Sequence, residues 1–391
     1  MVTEYSRGRL HSINVLISKL PNSIKYSFIW IFKFEYSKLF LVPSLVLNIV
    51  FDDIHKLHSD PSGRHPENPW RLEYALSALR DSSAWSHITI HNTPEAKVDL
   101  LKLIHDEDYI RLIERESRLG FHYIDNDTYV AEHTFNVAAR FTTAAYDSSI
   151  RSLENRELWL IMPRPGGHHA GRSGWAMGAP TLGFCIFNYA AMAAKSLLDR
   201  GLRVLIIDFD AHHGNGTQDI FWYEPRALHF DIHEEDIYPG TGYVDDIGGE
   251  SAEGSKINVP LPAYSGDQQY MWVIERVLKP LIESFRPDAI VVSAGFDAHV
   301  GDPLTLLRAT EKTYEAIGGL LRDLWVEGRI KALVSNLEGG YGEGLRRGFT
   351  SYIEALLGIR RYSGGIEPRE PPDRILGELR KILSKYWGIG V

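Results

Sequence analysis

The chain has 391 residues, 44% of them apolar, enough to bury a large core in one α/β domain. Acidic residues outnumber basic ones by 51 to 42, and a net charge of −9 without any Lys/Arg block argues against direct nucleic-acid binding. The single cysteine, Cys185, excludes an intramolecular disulfide and a cysteine-ligated zinc site, and fits a reducing cytoplasm.

Residues 1–45 read as an N-terminal extension. The stretch from Tyr26 to Phe51 is rich in aromatic and aliphatic side chains, but Lys33, Glu35 and Lys38 interrupt it and Pro43 follows. A spanning helix needs about 20 mostly apolar residues, so no transmembrane span is expected. No secretory signal is evident either. The extension is expected to be poorly packed; a membrane-surface segment or a start placed too far upstream are the other readings.

From residue 46 to 391 the pattern is that of one domain. Leu47 to Phe51 reads as a first strand, Arg71 to Leu79 as a helix, Val98 to Leu103 as a strand, and Asp106 to Arg118 and Ala131 to Leu153 as helices. Short apolar runs then alternate with helical segments. The runs are Trp159 to Met162, Val204 to Ile207, Ala227 to Phe230, Ile257 to Val259, Ala289 to Val292 and Ala332 to Val334. The helices are Phe187 to Asp199, Asp267 to Ser284 and Glu311 to Trp325, with a last amphipathic one at Ile375 to Tyr386. Such alternation predicts a mostly parallel central sheet with helices on both faces. Cys185, inside Phe184-Cys185-Ile186-Phe187, reads as a small packed residue rather than a nucleophile.

Four of these strands run into unusual polar turns. They are Arg164-Pro165-Gly166-Gly167-His168-His169-Ala170, then Asp208-Phe209-Asp210-Ala211-His212-His213-Gly214-Asn215-Gly216, then Ser293 to Pro303, and Leu337-Glu338-Gly339-Gly340-Tyr341-Gly342. Parallel strands share an edge at their carboxyl ends, so these turns should converge on one crevice. Asp210, His212 and Asp297 there offer a three-ligand set for a zinc ion with an open position. His168 and His169 can serve as acid and base if a neighbour fixes each tautomer, with Asp208 and Asn215 as candidates. Tyr341, presented by glycines, can donate a hydrogen bond to a developing oxyanion. These parts suit amide hydrolysis.

The set resembles the histone deacetylase family, including its prokaryotic members and the acetylpolyamine amidohydrolases. Further matches are His65-Pro66-Glu67-Asn68-Pro69-Trp70-Arg71-Leu72, Ile104 to Tyr109, Gly183-Phe184-Cys185 and Tyr238-Pro239-Gly240-Thr241-Gly242. The resemblance implies a single arginase/deacetylase-like three-layer α/β domain. It implies zinc at Asp210, His212 and Asp297. His169 would be the general base and acid, His168 its electrostatic partner backed by Asp208, and Tyr341 the carbonyl-polarising phenol. Asn215 stands where some members carry Asp; the Asn form resembles the class II branch and should hold His169 less basic. Gly183, Phe184, Tyr238 and Gly340 are expected along a narrow acyl-lysine channel, with Leu304 at its mouth and Asp127, in Asp125-Asn126-Asp127-Thr128, holding the substrate backbone. Carbonyls around Asp208, Asp210 and His212 resemble the family's potassium (K+) site. The segment from Gly171 to Thr181 is longer than in many eukaryotic members and similar to prokaryotic ones. It bears on the substrate rather than the chemistry.

The expected activity is metal-dependent removal of an acetyl group from acetyl-lysine or from a small acetylated amine. Two alternatives stand beside it. One is a non-enzymatic acyl-binding protein. The other is a two-metal ureohydrolase of arginase type, for which Asp302 is the nearest spare carboxylate. His299 is expected outside the ligand set, His213 packed or hydrogen-bonded, and His65 and Glu67 structural. The oligomeric state, a homo-oligomer included, is left open.

Overall fold

The computed structural model describes residues 45–391, and Val46–Val391 form a compact unit. Apart from Leu45, the extension read for residues 1–45 lies outside the described residues. The strands are β1 (Leu47–Val50), β2 (Ile88–His91), β3 (His122–Tyr123), β4 (Tyr129–Val130), β5 (Leu158–Ile161), β6 (Val204–Asp208), β7 (Ala227–Glu234), β8 (Lys256–Leu261), β9 (Ala289–Ala294) and β10 (Ala332–Leu337). Eight of them form one sheet in the order β2-β1-β5-β10-β9-β6-β7-β8, and every neighbouring pair is parallel. β3 and β4 make a small antiparallel pair apart from it.

The near-continuous apolar runs follow from burial on both faces. Along β10, Val334 joins a core cluster with Val137 and Phe141 of the helix Thr134–Asn155 and with Ala190 and Ala194 of the helix Tyr189–Leu198. Its neighbour Ser335 points the other way, and its hydroxyl meets that of Tyr352 at 2.7 Å on the helix Arg347–Leu356. That helix packs against Glu311–Val326. Helix, sheet and helix are the expected three layers.

Several elements differ from expectation, among them the strand pair β3–β4 and the helix Asn215–Ile220, neither of which was expected. Val98–Leu103 is a 3₁₀ helix in which only Leu101 is buried, and the edge strand is Ile88–His91 instead. The helix Arg347–Leu356 was not expected, because the glycines before it mask its start.

The placement that matters is lateral. β5, β10, β9 and β6, the strands that feed the four polar turns, are consecutive in the sheet. Adjacent strands lie about 4.8 Å apart, so their carboxyl ends meet within the reach of side chains.

Candidate active site

Asp210 and His212 stand on the turn after β6, and Asp297 on the turn after β9. Backbone N–H groups fix each carboxylate, and Asp210 Oδ1 accepts one of them, from His212 at 2.9 Å. Gly339 N–H donates to Asp210 Oδ2 at 2.6 Å, and Ala211 N–H donates to Asp297 Oδ1 at 2.8 Å. The other oxygens, Asp210 Oδ1 and Asp297 Oδ2, lie 3.2 and 3.0 Å from His212 Nδ1. Donors each about 2.1 Å from a tetrahedral ion sit about 3.4 Å apart. The three groups form one of two clusters among the described residues that could hold a metal. Burial works to lower the His212 pKa, but the hydrogen bonds and charge of Asp210 and Asp297 raise it to about 10. Two buried carboxylates demand a cation between them, and the donor set fits zinc.

Glycine makes this closeness possible. A Cβ at Gly339 would fall 2.3 Å from Asp297 Oδ2 and 2.5 Å from Asp210 Oδ2. Gly183, with φ +54°, runs between His169 and Tyr238, and a Cβ there would overlap both rings.

The tandem histidines end the turn after β5 and lie close together, with ring centroids 4.0 Å apart and planes tilted by 42°. They have opposite electrostatics. His168 Nδ1 lies 3.0 Å from Asp208 Oδ2; burial opposes charge, but Asp210 and Asp208 hold its pKa well above the usual imidazole value. His169 is held well below that value, by burial first and then by the charge of His168 and His212. His169 Nδ1 lies 2.8 Å from Asn215 Oδ1, and Asn215 Nδ2 donates to Ala176 O at 3.0 Å. That second bond orients the amide with its oxygen toward the ring, so Nδ1 carries the proton and Nε2 is left as a base.

Aromatic rings surround this centre. Tyr238 stands edge-on to His169 at 4.9 Å, and its hydroxyl donates to Thr181 O at 2.9 Å. Phe184 lies 4.7 Å from His65 and 6.0 Å from Tyr341, centroid to centroid. Burial keeps the Tyr341 phenol well above its ordinary pKa, hence protonated. Leu304 is 39% exposed on the turn after β9.

Asp127 accepts from Thr128 Oγ1 at 2.9 Å and Thr181 Oγ1 at 2.6 Å, which ties it to the loop that carries Gly183. His65 Nε2 meets the Asp127 carbonyl at 2.9 Å. Asp302 does not join the cluster of Asp210, His212 and Asp297; its carboxylate accepts the N–H groups of Tyr341 at 2.7 Å and Leu304 at 3.0 Å. His299 does not join the cluster of Asp210, His212 and Asp297; its Nδ1 meets Gly301 N at 3.1 Å. His213 meets Thr241 Oγ1 at 2.8 Å and Gln218 Oε1 at 3.2 Å.

Some supporting residues were not singled out from sequence. Glu338 is buried, and its Oε2 accepts from Gly167 N at 3.1 Å and His168 N at 3.2 Å, pinning the histidine turn to the tip of β10. Arg71 donates to the carbonyls of Gly340 at 2.8 Å and Glu338 at 2.6 Å, and its guanidinium lies 4.5 Å from the centre of the Tyr341 ring. Both residues sat within quoted motifs; their signal was a charge inside an otherwise apolar or glycine-rich run.

Comparison with known proteins points to one family. The family model described as histone deacetylase domain matches residues 65–356. An uncharacterized protein of Methanocaldococcus jannaschii is 38% identical, over 84% of this chain and 94% of that one. A protein of Archaeoglobus fulgidus named probable deacetylase is 33% identical, over 88% and 99%. Histone deacetylase 14, chloroplastic, of Arabidopsis thaliana is 35% identical, over 75% and 73%. Among solved structures, the crystal structure of the HDA15 HD domain superposes with a TM-score of 0.78 at 30% identity, covering 88% of this chain and 96% of that one.

Proposed function

The chain belongs to the histone deacetylase family and is a deacetylase, and from that premise we propose that it hydrolyses the acetyl amide of acetyl-lysine or of a small acetylated amine in a zinc-dependent reaction. The observation that carries this reading is the pairing of a neutral, oriented His169 with a protonated Tyr341 beside the Asp210, His212 and Asp297 donors. Zinc held by those three residues would polarise the acetyl carbonyl and acidify the attacking water.

The chain's own groups do the rest. Phe184 and Tyr238 line the path of the aliphatic arm, and Tyr341 donates its phenolic hydrogen to the carbonyl oxygen as negative charge develops there. His169 Nε2 takes a proton from the attacking water and returns it to the amine nitrogen as the C–N bond breaks, leaving acetate and a free amine. Burial first, and then repulsion from the charged His168 anchored by Asp208, keeps the base at its low pKa. Asp127 positions the substrate backbone through the Thr181 loop, Gly340 and Gly183 give close backbone approach, and Leu304 guards the mouth. The carbonyls of Asp208, Asp210 and His212 would take potassium.

The test is acetate release from an acetyl-lysine peptide, acetylputrescine and acetylspermidine, with and without a chelator. Release from any of them that stops on chelation and returns with zinc is expected. No release from any would overturn the reading and favour an acyl-binding protein. Asp302 stands outside the cluster of Asp210, His212 and Asp297, which counts against the arginase-type alternative that needs an additional carboxylate there.

A further inference from the structure

The other cluster able to hold a metal among the described residues is His213, His229 and Asp231. All three side chains are buried, at 1%, 0% and 0% exposure. Its construction is simple. His229 and Asp231 are two residues apart on β7, so they share one face of the strand. His213 comes from the turn after the neighbouring strand β6, and its ring centre lies 6.3 Å from that of His229.

The independent observation is His229 itself. Neither of its ring nitrogens meets a hydrogen-bond partner among the described residues, although the side chain is fully buried. Such a group is costly to bury unless something satisfies it. His229 Nε2 is 3.7 Å from Asp231 Oδ2, a few tenths beyond the roughly 3.4 Å between two donors on one tetrahedral ion. The remaining contacts hold the ligands in place. Asp231 Oδ1 accepts from His233 Nδ1 at 2.7 Å, Gly214 N donates to Asp231 Oδ2 at 2.9 Å, and His213 meets the Thr241 hydroxyl through Nδ1 at 2.8 Å and Gln218 Oε1 through Nε2 at 3.2 Å, one of which the ion would replace.

We propose that His213, His229 and Asp231 form a second site, structural in role, for a divalent first-row transition ion, separate from the Asp210–His212–Asp297 set. Two imidazoles and one carboxylate select a borderline ion of the zinc or cobalt kind, and not potassium, which prefers oxygen. The ion would tie the turn after β6 to β7. It would also lie one strand from Asp208, the cross-strand partner of Asp231.

The test is titration of chelator-stripped protein with Co2+, read by visible absorbance and by elemental analysis after desalting. Two equivalents per chain are expected for the wild type, one for His229→Leu and one for Asp210→Asn. Melting gives a second readout. Without metal, His229→Leu should melt no lower than the wild type, since an apolar side chain replaces unsatisfied nitrogens. With Zn2+ in the Asp210→Asn background, the intact cluster should gain several degrees and the His229→Leu double variant none. A wild type that binds one equivalent, or a melting gain produced by K+ and not by Zn2+ or Co2+, would overturn the proposal. The wild-type stoichiometry decides even if a variant fails to fold, and none of these readouts depends on catalysis.

Discussion

At the scale of single residues, His169 is the most exacting. Its usefulness as a base depends on Asn215 presenting a neutral oxygen to Nδ1. Asn215→Asp would place a carboxylate there, stabilise the imidazolium and raise the His169 pKa. The acidic limb of the pH–rate profile should then move to higher pH while metal content stays the same; an unmoved limb would show that His169 is not the titrating base. His169→Ala and Tyr341→Phe should each lower kcat by about a hundredfold or more with the metal retained, which turnover and elemental analysis check together. These residues were legible in the sequence because their chemistry is unusual on a strand end. Glu338 and Arg71 were harder to read: what they do depends on backbone groups more than 160 residues away, such as Gly167, His168 and Gly340. A sequence shows the side chain and not its distant carbonyl.

At the scale of elements, close approach and buried ion pairs decide what the turns tolerate. Gly339→Ala pushes a methyl group into the Asp210 and Asp297 carboxylates. It should sharply weaken metal binding and activity while circular dichroism stays native; retained metal affinity would mean that the β10 turn is softer than its geometry implies. On the turn after β5, Arg164 is wholly buried and paired with Glu67, whose Oε2 accepts from Arg164 Nη2 at 2.8 Å. Glu67→Ala leaves an uncompensated guanidinium and should cost about 3–5 kcal/mol in chemical denaturation. The strands β5 to β10 were readable because parallel strands buried on both faces write themselves as aliphatic runs. The edge was not. Ile88–His91 is half exposed and carries a weak pattern, whereas Val98–Leu103 carries apolar residues that serve a 3₁₀ turn, so the two were exchanged.

At the scale of the whole molecule, the fold keeps several histidines neutral inside it. Burial lowers the pKa of His58, His105 and His229 to about 4 and that of His213 to about 3, against an ordinary 6.5. The unfolded chain therefore binds protons first as pH falls. The stability these groups contribute is fully present above about 6.5 and is lost progressively as pH drops toward their folded values. Glu338 and Asp302, pushed up to about 7 by burial, act in the opposite sense, so the histidine share is read by difference. The melting temperature of His105→Gln should fall less between about pH 6.5 and 4 than that of the wild type, and an identical fall would contradict the burial of this ring. No helix among the described residues is long and apolar enough to cross a membrane.

The contiguity of β5, β10, β9 and β6 has a kinetic meaning. Central strands share their ladder with neighbours on both sides, so freeing one requires disrupting two interfaces. Amide protons of β9 and β10 should be among the slowest in the molecule to trade with deuterium, while those around Leu304 and Phe121, at exposed turns, should trade within moments. The reacting groups would then be anchored to ground that hardly breathes, and the entrance left free to adapt to whatever chain carries the acetyl group.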